Sequence, residues 1–327
     1  MTDPQVAIFM LSLFIFLVLL GFPIAFTLIA MGVGFGYYAY FQADNLLNNR
    51  IFYLLNQNTY SVMENDVLVA IPLFLFMGYV VERANIVNRL FFSLQLATRH
   101  LPGSMAVAAL ATCAIFATAS GIIGAVVTLM GLLAFPAMVK AGYHRGFASG
   151  VICAGGTLGI LIPPSIMLVV MGPIMEIPVT DLFAAAIIPG ILLATLYAGY
   201  TTIRCWIDPS LGPVLPVELR ATSMVAVWKE FFIGLVPPAA LVFASLGSIL
   251  FGFATPTEAA GCGAMGSLLL ALAYRKLTFG RLQEALVKTL EISALIMVLV
   301  AASNFFGAVF SRLGTPMLLT DFLLGLE

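Results

Sequence analysis

Charged side chains are scarce in this chain of 327 residues: Asp, Glu, Lys and Arg make up 9% of it and apolar residues 62%. Soluble domains carry about 25% charged residues, so a chain of this composition is predicted to be an integral membrane protein. The 14 Lys and Arg residues nearly balance the 15 Asp and Glu residues. This balance excludes a strongly basic surface, and we therefore expect no nucleic-acid partner.

Side chains that carry enzyme and metal chemistry are also few. The two histidines, His100 and His144, lie in basic stretches at predicted helix ends. The cysteines form no CxxC pair, which favours small core residues over metal or redox groups. They are Cys113, Cys153, Cys205 and Cys262. The sequence contains no HExxH motif and no GxSxG motif with a histidine and an acid, so we expect no enzyme, no catalytic residue and no cofactor.

Long apolar runs fill most of the sequence instead. A spanning helix needs about 20 residues, and uninterrupted candidates lie at 5–21, 22–41, 66–82, 183–205, 230–252, 258–274 and 291–311. No basic segment precedes the first run and apolar sequence follows it, so we interpret it as a retained helix and not as a signal peptide. Polar connectors at 45–60 and 278–290 are predicted to be helices on the membrane surface.

The apolar run at 103–139 is too long for one span, since about 37 residues of helix measure roughly 55 Å. Its middle, at 118–124, is rich in small and helix-weakening residues. Two full spans and a re-entrant hairpin would both return the chain to its starting side. Because the two halves are short for full spans, we predict a re-entrant hairpin with its tip at Ala119, Ser120 and Gly121.

The apolar run at 147–175 contains the sequence GGTLGILIPPS from Gly155 to Ser165. Glycine weakens a helix, and proline lacks an N–H and clashes with the preceding turn. We therefore predict a broken helix, with the break extending over this whole stretch. In a membrane such a break must be buried in protein or line a polar cavity. Broken helices in secondary transporters bind cations and anions near the bilayer midplane.

Two interpretations of the hairpin tip and the broken helix stay open on the residues alone. Carbonyl groups freed by Gly and Pro, joined by the hydroxyls of Ser120, Thr157 and Ser165, would suit a dehydrated cation such as Na⁺. Alternatively, the glycines allow close helix packing and the prolines only kink the span. At the head of another span, Thr255–Glu258 matches a capping box, which we prefer to a role in ion coupling.

The basic residues predict an orientation in the membrane. Twelve of the 14 Lys and Arg residues lie in four connecting segments that can share the cytoplasmic side, and only Arg50 and Arg312 lie outside. These segments are the loops 83–100, 204–229 and 275–288 and the end of the hairpin at 140–145. The arrangement places the N-terminus on the periplasmic side.

The order of segments repeats with its orientation reversed. Two spans, a surface helix and a third span occur at 5–82 and again at 230–311, which predicts an inverted-repeat transporter. Only the first set is followed by a hairpin and a broken helix, so the second repeat is incomplete. The predicted domains are scaffold helices with a surface arm at 1–65, a first transport-domain half at 66–182, scaffold helices with an arm at 183–290, and the start of a second transport-domain half at 291–327.

Three segments together resemble a known family. They are FATASGIIGAVVTLMGLLAFPAM at 116–138, GGTLGILIPPSIMLVVMGPI at 155–174 and GFATPTEAAGCGA at 252–264. The combination is similar to the large membrane subunit (DctM-like, or M subunit) of tripartite ATP-independent periplasmic (TRAP) transporters, and the likeness extends through the whole chain. The resemblance implies a Na⁺-driven importer of a small organic acid in a bacterial inner membrane, working by an elevator mechanism.

The resemblance also implies partners and site residues. The partners would be a small four-helix membrane subunit, a periplasmic substrate-binding protein, the organic-acid solute and the surrounding membrane lipid. The implied Na⁺-binding residues are Ala119, Ser120, Gly121, Gly156, Thr157, Gly159 and Pro163. The implied substrate-binding residues are Ser120, Pro164 and Ser165. No metal other than Na⁺ is expected.

The family continues with a second hairpin and a second broken helix, which this sequence lacks, and we expect that the chain alone cannot transport. Two other functions remain open. The chain could be a stand-alone inverted-repeat anion carrier that needs no binding protein, or a non-transporting scaffold or assembly partner of a full-length copy. A membrane enzyme that uses Ser120 is a more distant alternative.

Overall fold

The computed structural model describes residues 3–41, 50–84, 86–214 and 224–316, together with residues 320 and 324. Within these residues every regular element is a helix, which confirms the predicted all-α fold. The α-helices are α1 (Asp3–Leu19), α2 (Ile24–Ala39), α3 (Arg50–Met63), α4 (Ala70–Arg83), α5 (Ile86–Ala97), α6 (Ser104–Ser120), α7 (Ile123–Lys140), α8 (Arg145–Leu161), α9 (Ile166–Met175), α10 (Val179–Ile207), α11 (Met224–Leu250), α12 (Pro256–Ala273) and α13 (Phe279–Arg312). A short 3₁₀ helix, Asp66–Val69, precedes α4.

Several of these helices can cross a membrane. Within the described ranges, five are long and apolar enough, or six if Arg50–Met63 and Asp66–Arg83 together form one span. The pair α8 and α9 counts as one of the five, over Arg145–Met175. The chain is therefore a multi-pass membrane protein by the length and composition of its helices.

The loop predicted after α4 is wrong in part, because Ile86–Ala97 forms the helix α5. Its apolar side chains recur at helical spacing and form one buried face. This face packs against α11, where Gly234 leaves no room for a side chain beside Ser93. At 12 residues the helix is too short to span a membrane, so a search for spanning runs does not detect it.

The surface helix predicted at 278–290 and the span predicted at 291–311 form one continuous helix, α13. The junction from Lys288 to Ile292 contains neither Gly nor Pro and offers no signal to stop a helix. The other predicted surface helix, at 45–60, begins outside the described residues, and its described portion belongs to α3.

The chain forms two compact units, one made of Met1–Asn65 with Glu291–Glu327 and the other of Asp66–Leu290. In the first unit, Met10 and Phe305 are fully buried in a single apolar cluster. The predicted division into four segments of scaffold and transport domain stays a prediction.

In the second unit, α12 begins with the capping box predicted at Thr255–Glu258. The backbone N–H of Glu258 donates to the Thr255 hydroxyl oxygen at 3.3 Å, and the backbone N–H of Thr255 donates to the Glu258 carboxylate at 2.8 Å. The Thr257 hydroxyl donates to the Asp66 carbonyl oxygen at 3.0 Å and ties this end of α12 to the start of the unit. The prediction that Glu258 caps a helix is confirmed.

The loop after α10 holds both ends of the hairpin formed by α6 and α7. The N–H of Gly103, just before α6, donates to the Gly212 carbonyl oxygen at 3.2 Å. The N–H of His144, after α7, donates to the Leu211 carbonyl oxygen at 3.1 Å. Two positions about 40 residues apart in the sequence therefore bond to neighbouring residues of one loop.

Tyr143 links the two ends of the hairpin directly, because its hydroxyl oxygen accepts the N–H of Met105 at 3.1 Å. Burial raises the pKa of Tyr143 to about 12, whereas a tyrosine in an unfolded chain titrates near about 10. The fold thus favours the neutral phenol, and its stabilising contribution is complete below about pH 10 and is lost as the pH rises towards about 12. We expect the Tm of the protein in detergent to fall across this pH window.

The variant Tyr143→Phe separates this effect from general alkaline damage. It is expected to lower the Tm at neutral pH, since a hydrogen bond worth about 1 kcal/mol is lost, and to flatten the fall between about pH 10 and 12. Tyr200→Phe, at an exposed position of α10, should keep the full pH dependence. An equally steep fall in Tyr143→Phe would contradict the assignment.

Candidate functional site at the helix break

The break between α8 and α9 covers Ile162–Ser165. The two prolines within it have no N–H, so the carbonyl oxygens of Gly159 and Ile160, four residues earlier, have no α-helical donor. The Ser165 hydroxyl donates to the Ile160 oxygen at 2.6 Å and replaces one of these missing bonds. The break therefore leaves the Gly159 oxygen without its helical partner.

The prediction that the helix is already broken at Gly155 is wrong, because α8 continues regularly to Leu161. Its glycines instead face the hairpin and allow the helices to approach closely. A Cβ added to Gly155 would lie 2.8 Å from the Cys113 sulfur in α6. A Cβ on Gly156 would overlap with the Val127 side chain in α7. The packing interpretation thus accounts for these two glycines.

Gly159 makes a close contact with backbone. A Cβ added there would lie 2.9 Å from the Ala117 Cβ and 3.3 Å from the Ala117 carbonyl oxygen. A real Cβ essentially never lies closer than about 3 Å to another heavy atom, and Ala117 cannot turn its Cβ away, so an alanine at this position would force the two helices apart. The last turn of α8 therefore lies directly against the last turn of α6.

Of the predicted tip residues only Gly121 lies in the turn, since α6 ends at Ser120 and α7 begins at Ile123, and Ala119 and Ser120 belong to the last turn of α6. Gly121 closes α6 with a φ of 63°, in the left-handed region that favours glycine. A Cβ on Gly121 would lie 2.9 Å from Cγ1 of Ile166, the first residue of α9. The tip therefore contacts the far side of the helix break. That the hairpin is re-entrant stays a prediction, because α7 is long enough to cross a membrane.

The remaining predicted site residues differ in where the structure places them. Pro163 and Pro164 are buried within the break and are joined by a cis peptide bond. Thr157 lies on the exposed face of α8, and its hydroxyl donates to the Ala154 carbonyl oxygen of its own helix at 2.7 Å. The structure therefore does not bring Thr157 to the hairpin. The side chains of the other two predicted residues, Ala119 and Ser120, lie outside the described residues.

Gly190 in α10 lies against the helix break. The sequence patterns do not indicate that this residue is part of the site. A Cβ added there would lie 3.0 Å from the Ile162 side chain and 3.6 Å from the Leu161 carbonyl oxygen. The only local signal is the Pro189-Gly190 pair inside a long apolar helix. α10 thus packs closely against the break at Leu161 and Ile162.

Four helix ends meet at this site. The C-terminal ends of α6 and α8 present carbonyl oxygens, and the N-terminal ends of α7 and α9 present N–H groups. Neither N-cap residue makes a side-chain cap bond: Ile122 before α7 is apolar, and the hydroxyl of Ser165 before α9 is bonded to Ile160. Oxygen ligands for a cation and amide donors for an anion therefore lie close together.

The polar groups at the break are main-chain carbonyl oxygens and N–H groups. Among the described residues, no group of three or more His, Cys, Asp or Glu side chains is arranged to hold a metal ion. Carbonyl oxygens at helix ends suit a hard cation, and uncapped helix N-termini suit a carboxylate or a similar anion. The structure thus combines multi-pass helices with a broken helix that faces a hairpin tip, an arrangement typical of the membrane domain of a secondary transporter.

Comparison with known proteins narrows this class to one family. The model of the DctM component of the tripartite ATP-independent periplasmic transporters matches residues 11–327. The chain belongs to this family, and the resemblance noted in the sequence is confirmed. Its relatives are transporter permeases and not enzymes, as the sequence predicts.

Three relatives illustrate the range of the family. The C4-dicarboxylate TRAP transporter large permease protein of Pseudomonas aeruginosa is 33% identical over 79% of this chain and 59% of the relative. The isethionate TRAP transporter permease protein of Oleidesulfovibrio alaskensis is 31% identical over 83% of this chain and 42% of the relative. The sialic acid TRAP transporter large permease protein of Vibrio cholerae is 30% identical over 93% of this chain and 68% of the relative. The chain thus spans about two to three fifths of the first two relatives.

Proposed function

We propose that the chain is the permease part of a Na⁺-coupled secondary transporter that imports a small organic acid. The observation that carries this proposal is the meeting of the helix break with the hairpin tip. There, the Gly159 oxygen has no helical donor and lies in the turn that packs against the end of α6. The same contact brings the uncapped N-terminus of α9 to Gly121.

Coupling would follow from the proximity of the two kinds of ligand. Na⁺ held by carbonyl oxygens at the ends of α6 and α8 would fix the hairpin tip against the break. The fixed tip would in turn place the N–H groups of α7 and α9 for an anion, so each ligand would raise the affinity for the other. Residues 119–121, Gly159 and Pro163 would serve the ion, and Ser120, Pro164 and Ser165 would line the substrate side.

The substrate class is supported by the relatives, whose names include C4-dicarboxylates, isethionate and sialic acid. All are small organic acids, and an anion is the ligand that helix N-termini favour. The proposal extends to a small membrane subunit and a periplasmic binding protein as partners, and to a bacterial inner membrane with the N-terminus in the periplasm. The hairpin and broken helix would move past flanking spans of an inverted repeat, as in an elevator.

Na⁺ binding is tested through thermal stability, because a ligand that binds only the folded state stabilises it. We expect a higher Tm in Na⁺ than in K⁺ at equal ionic strength, with a stabilisation of about 2.7 kcal/mol at a hundredfold excess over Kd. Pro163→Ala restores an N–H that can bond to the Gly159 oxygen. This variant is expected to remain folded and to lose the difference between Na⁺ and K⁺.

Pro136→Ala is the matched control, since Pro136 lies inside α7 and away from the break. It should keep the full response to Na⁺. Equal Tm values in the two salts for the unchanged chain, or a full Na⁺ response in Pro163→Ala, would contradict the proposed ion site. Transport itself is measured as uptake of an organic acid into proteoliposomes driven by a Na⁺ gradient, with the small subunit and the binding protein present. A stand-alone carrier would show the same uptake without the binding protein.

A further inference from the structure

A cavity of about 290 Å³ lies between α8 and α10, and no residue of the helix break lines it. Small residues line it on α8 and residues with hydroxyl groups line it on α10: Gly146, Gly150 and Ala154, and Tyr197, Tyr200 and Thr201. None of the described lining residues carries a charge. The cavity therefore combines an apolar wall with a wall of neutral hydroxyl groups.

The wall formed by α8 is a strip of small residues with open space in front of it. Gly146, Gly150 and Ala154 recur every four residues, so they share one face of the helix. No atom of the described residues lies within 4 Å of the position that a Cβ on Gly150 would take. An extended apolar chain can therefore lie directly against the backbone of α8.

The wall formed by α10 carries hydroxyl groups that lack partners within the described part of the chain. Thr201 is only 2% exposed, yet its hydroxyl forms no hydrogen bond with a described residue. The neighbouring Thr202 differs, since its hydroxyl donates to the Ala198 carbonyl oxygen at 2.8 Å. The half-buried phenol of Tyr197 is also unpaired among the described residues. Buried hydroxyl groups need partners, so these two donors fit a ligand that carries oxygen acceptors.

The cavity lies near the membrane surface, where two spans end. Gly146 is the second residue of α8, and Thr201 lies within about 9 Å of the end of α10. Tyr200 and Trp206, in the last two turns of α10, are exposed. Tyrosine and tryptophan are enriched at the level of the lipid headgroups. The ester groups of phospholipids, which join the headgroup to the acyl chains, lie close to this level.

The size and polarity of the cavity decide between a lipid and a protein helix. At the volume that a water molecule takes in the liquid, about 30 Å³, the cavity holds roughly ten non-hydrogen atoms. A protein helix is about 10 Å wide and bonds its carbonyl groups internally. It would therefore neither enter the cavity nor offer a carbonyl oxygen to Thr201. An ester group with the first part of its acyl chain matches the volume, supplies acceptor oxygens and has no charge.

We infer that this cavity binds the ester region of a membrane phospholipid. The ester carbonyl oxygen accepts hydrogen bonds from the hydroxyls of Thr201 and Tyr197, and the attached acyl chain lies along Gly150 and Ala154. The headgroup lies outside the cavity, towards the end of α10. The lipid fills the gap between α8 and α10, and its binding is independent of Na⁺ and solute at the helix break.

Two lipids that differ only in the ester carbonyl test this inference. Diester phosphatidylcholine and its diether analogue share the headgroup and the chain length, but the diether has no carbonyl oxygen. Native mass spectrometry of the purified chain, stripped of lipid in detergent, measures the Kd of each lipid. We expect the diester to bind about 5- to 30-fold more tightly, which is the gain from one to two hydrogen bonds. Equal Kd values overturn the inference.

Variants of the hydroxyl wall locate the effect. Thr201→Val keeps the shape of the side chain and removes the hydroxyl, so it should lower the preference for the diester, and adding Tyr197→Phe should abolish it. Thr202→Val is the matched control, because its hydroxyl is already bonded within α10, and it should keep the full preference. A full preference in the double variant overturns the inference, as does an equal loss in Thr202→Val.

A variant of the apolar wall provides a second test. Ala154→Leu places a larger side chain in the cavity and should weaken the binding of the diester at least fivefold, whereas Cys153→Leu, on an exposed face of α8, should leave it unchanged. Unchanged diester binding in Ala154→Leu overturns the inference. Loss of the bound diester when the small membrane subunit is added would also overturn it, because the cavity would then be part of a protein interface.

Discussion

Replacing Gly159 by alanine is expected to destabilise the protein, although alanine is the better helix former. The new Cβ would lie 2.9 Å from the Ala117 Cβ and 3.3 Å from the Ala117 carbonyl oxygen. Since part of the opposing group is backbone, neither helix can yield by a rotamer change, and overpacking of this kind costs about 1–3 kcal/mol. The variant Gly159→Ala should also weaken any effect of Na⁺ on the Tm, because the ends of α6 and α8 would be moved apart.

Gly150→Ala is the matched control on the same helix. Nothing lies within 4 Å of the position that its Cβ would take, so this variant keeps only the gain in helix propensity of about 1 kcal/mol. Since both variants share that gain, the difference between them isolates the packing cost. We expect the Tm of Gly159→Ala in detergent to lie roughly 2–6 °C below that of Gly150→Ala. Equal Tm values would mean that the helices separate without cost.

Replacing Gly121 by alanine is expected to disturb the hairpin tip through two effects. The φ of 63° is unfavourable for a residue with a Cβ by about 1–2 kcal/mol. The Cβ would also press on Cγ1 of Ile166 at 2.9 Å and push the tip from the start of α9. The Tm should fall, and in the complete transporter the uptake of organic acid should fall with it.

The control for the tip is Gly124→Ala, three residues further along in α7. No atom lies within 4 Å of its added Cβ, and its φ is not in the left-handed region, so stability should be unchanged or slightly raised. A double-mutant cycle with Ile166→Ala separates the two effects at Gly121, because the shorter side chain relieves the contact and leaves the backbone strain. A Gly121→Ala protein as stable as Gly124→Ala would show that the tip is loosely held.

The parts of the fold that the sequence predicts correctly are those with a local cause. The hairpin follows from small residues in the middle of an overlong apolar run, and the capping box follows from the spacing of Thr255 and Glu258. Helix α5 is not predicted, because a search for spanning runs depends on length and α5 is too short. Its buried face is recognised only from its packing against α11. The continuity of α13 is missed because a change in polarity at 290 suggests a boundary where the backbone has none.

The candidate site is predictable in outline but not in its detail. Proline fixes the position of the break, since its missing N–H acts four residues upstream whatever the tertiary structure. Glycine is ambiguous, because it can interrupt a helix or let another helix approach closely. Only the contacts of these glycines with Cys113, Val127 and Ala117 show that they allow close approach. Thr157 follows Gly156 by one residue, about 100° around the helix, and so faces away from the hairpin.

The loop after α10 has a mechanical consequence. Because the carbonyl oxygens of Leu211 and Gly212 accept hydrogen bonds from both ends of the hairpin, the proposed elevator movement of the hairpin would have to carry this loop with it. Gly190 fits against the helix break at the same time, so α10 and the loop after it contact the broken helix and the hairpin at two separate places. Helix α10, which the sequence assigns to the scaffold, would then belong to the moving part of the proposed elevator. The interface between the moving part and the scaffold would lie beyond α10.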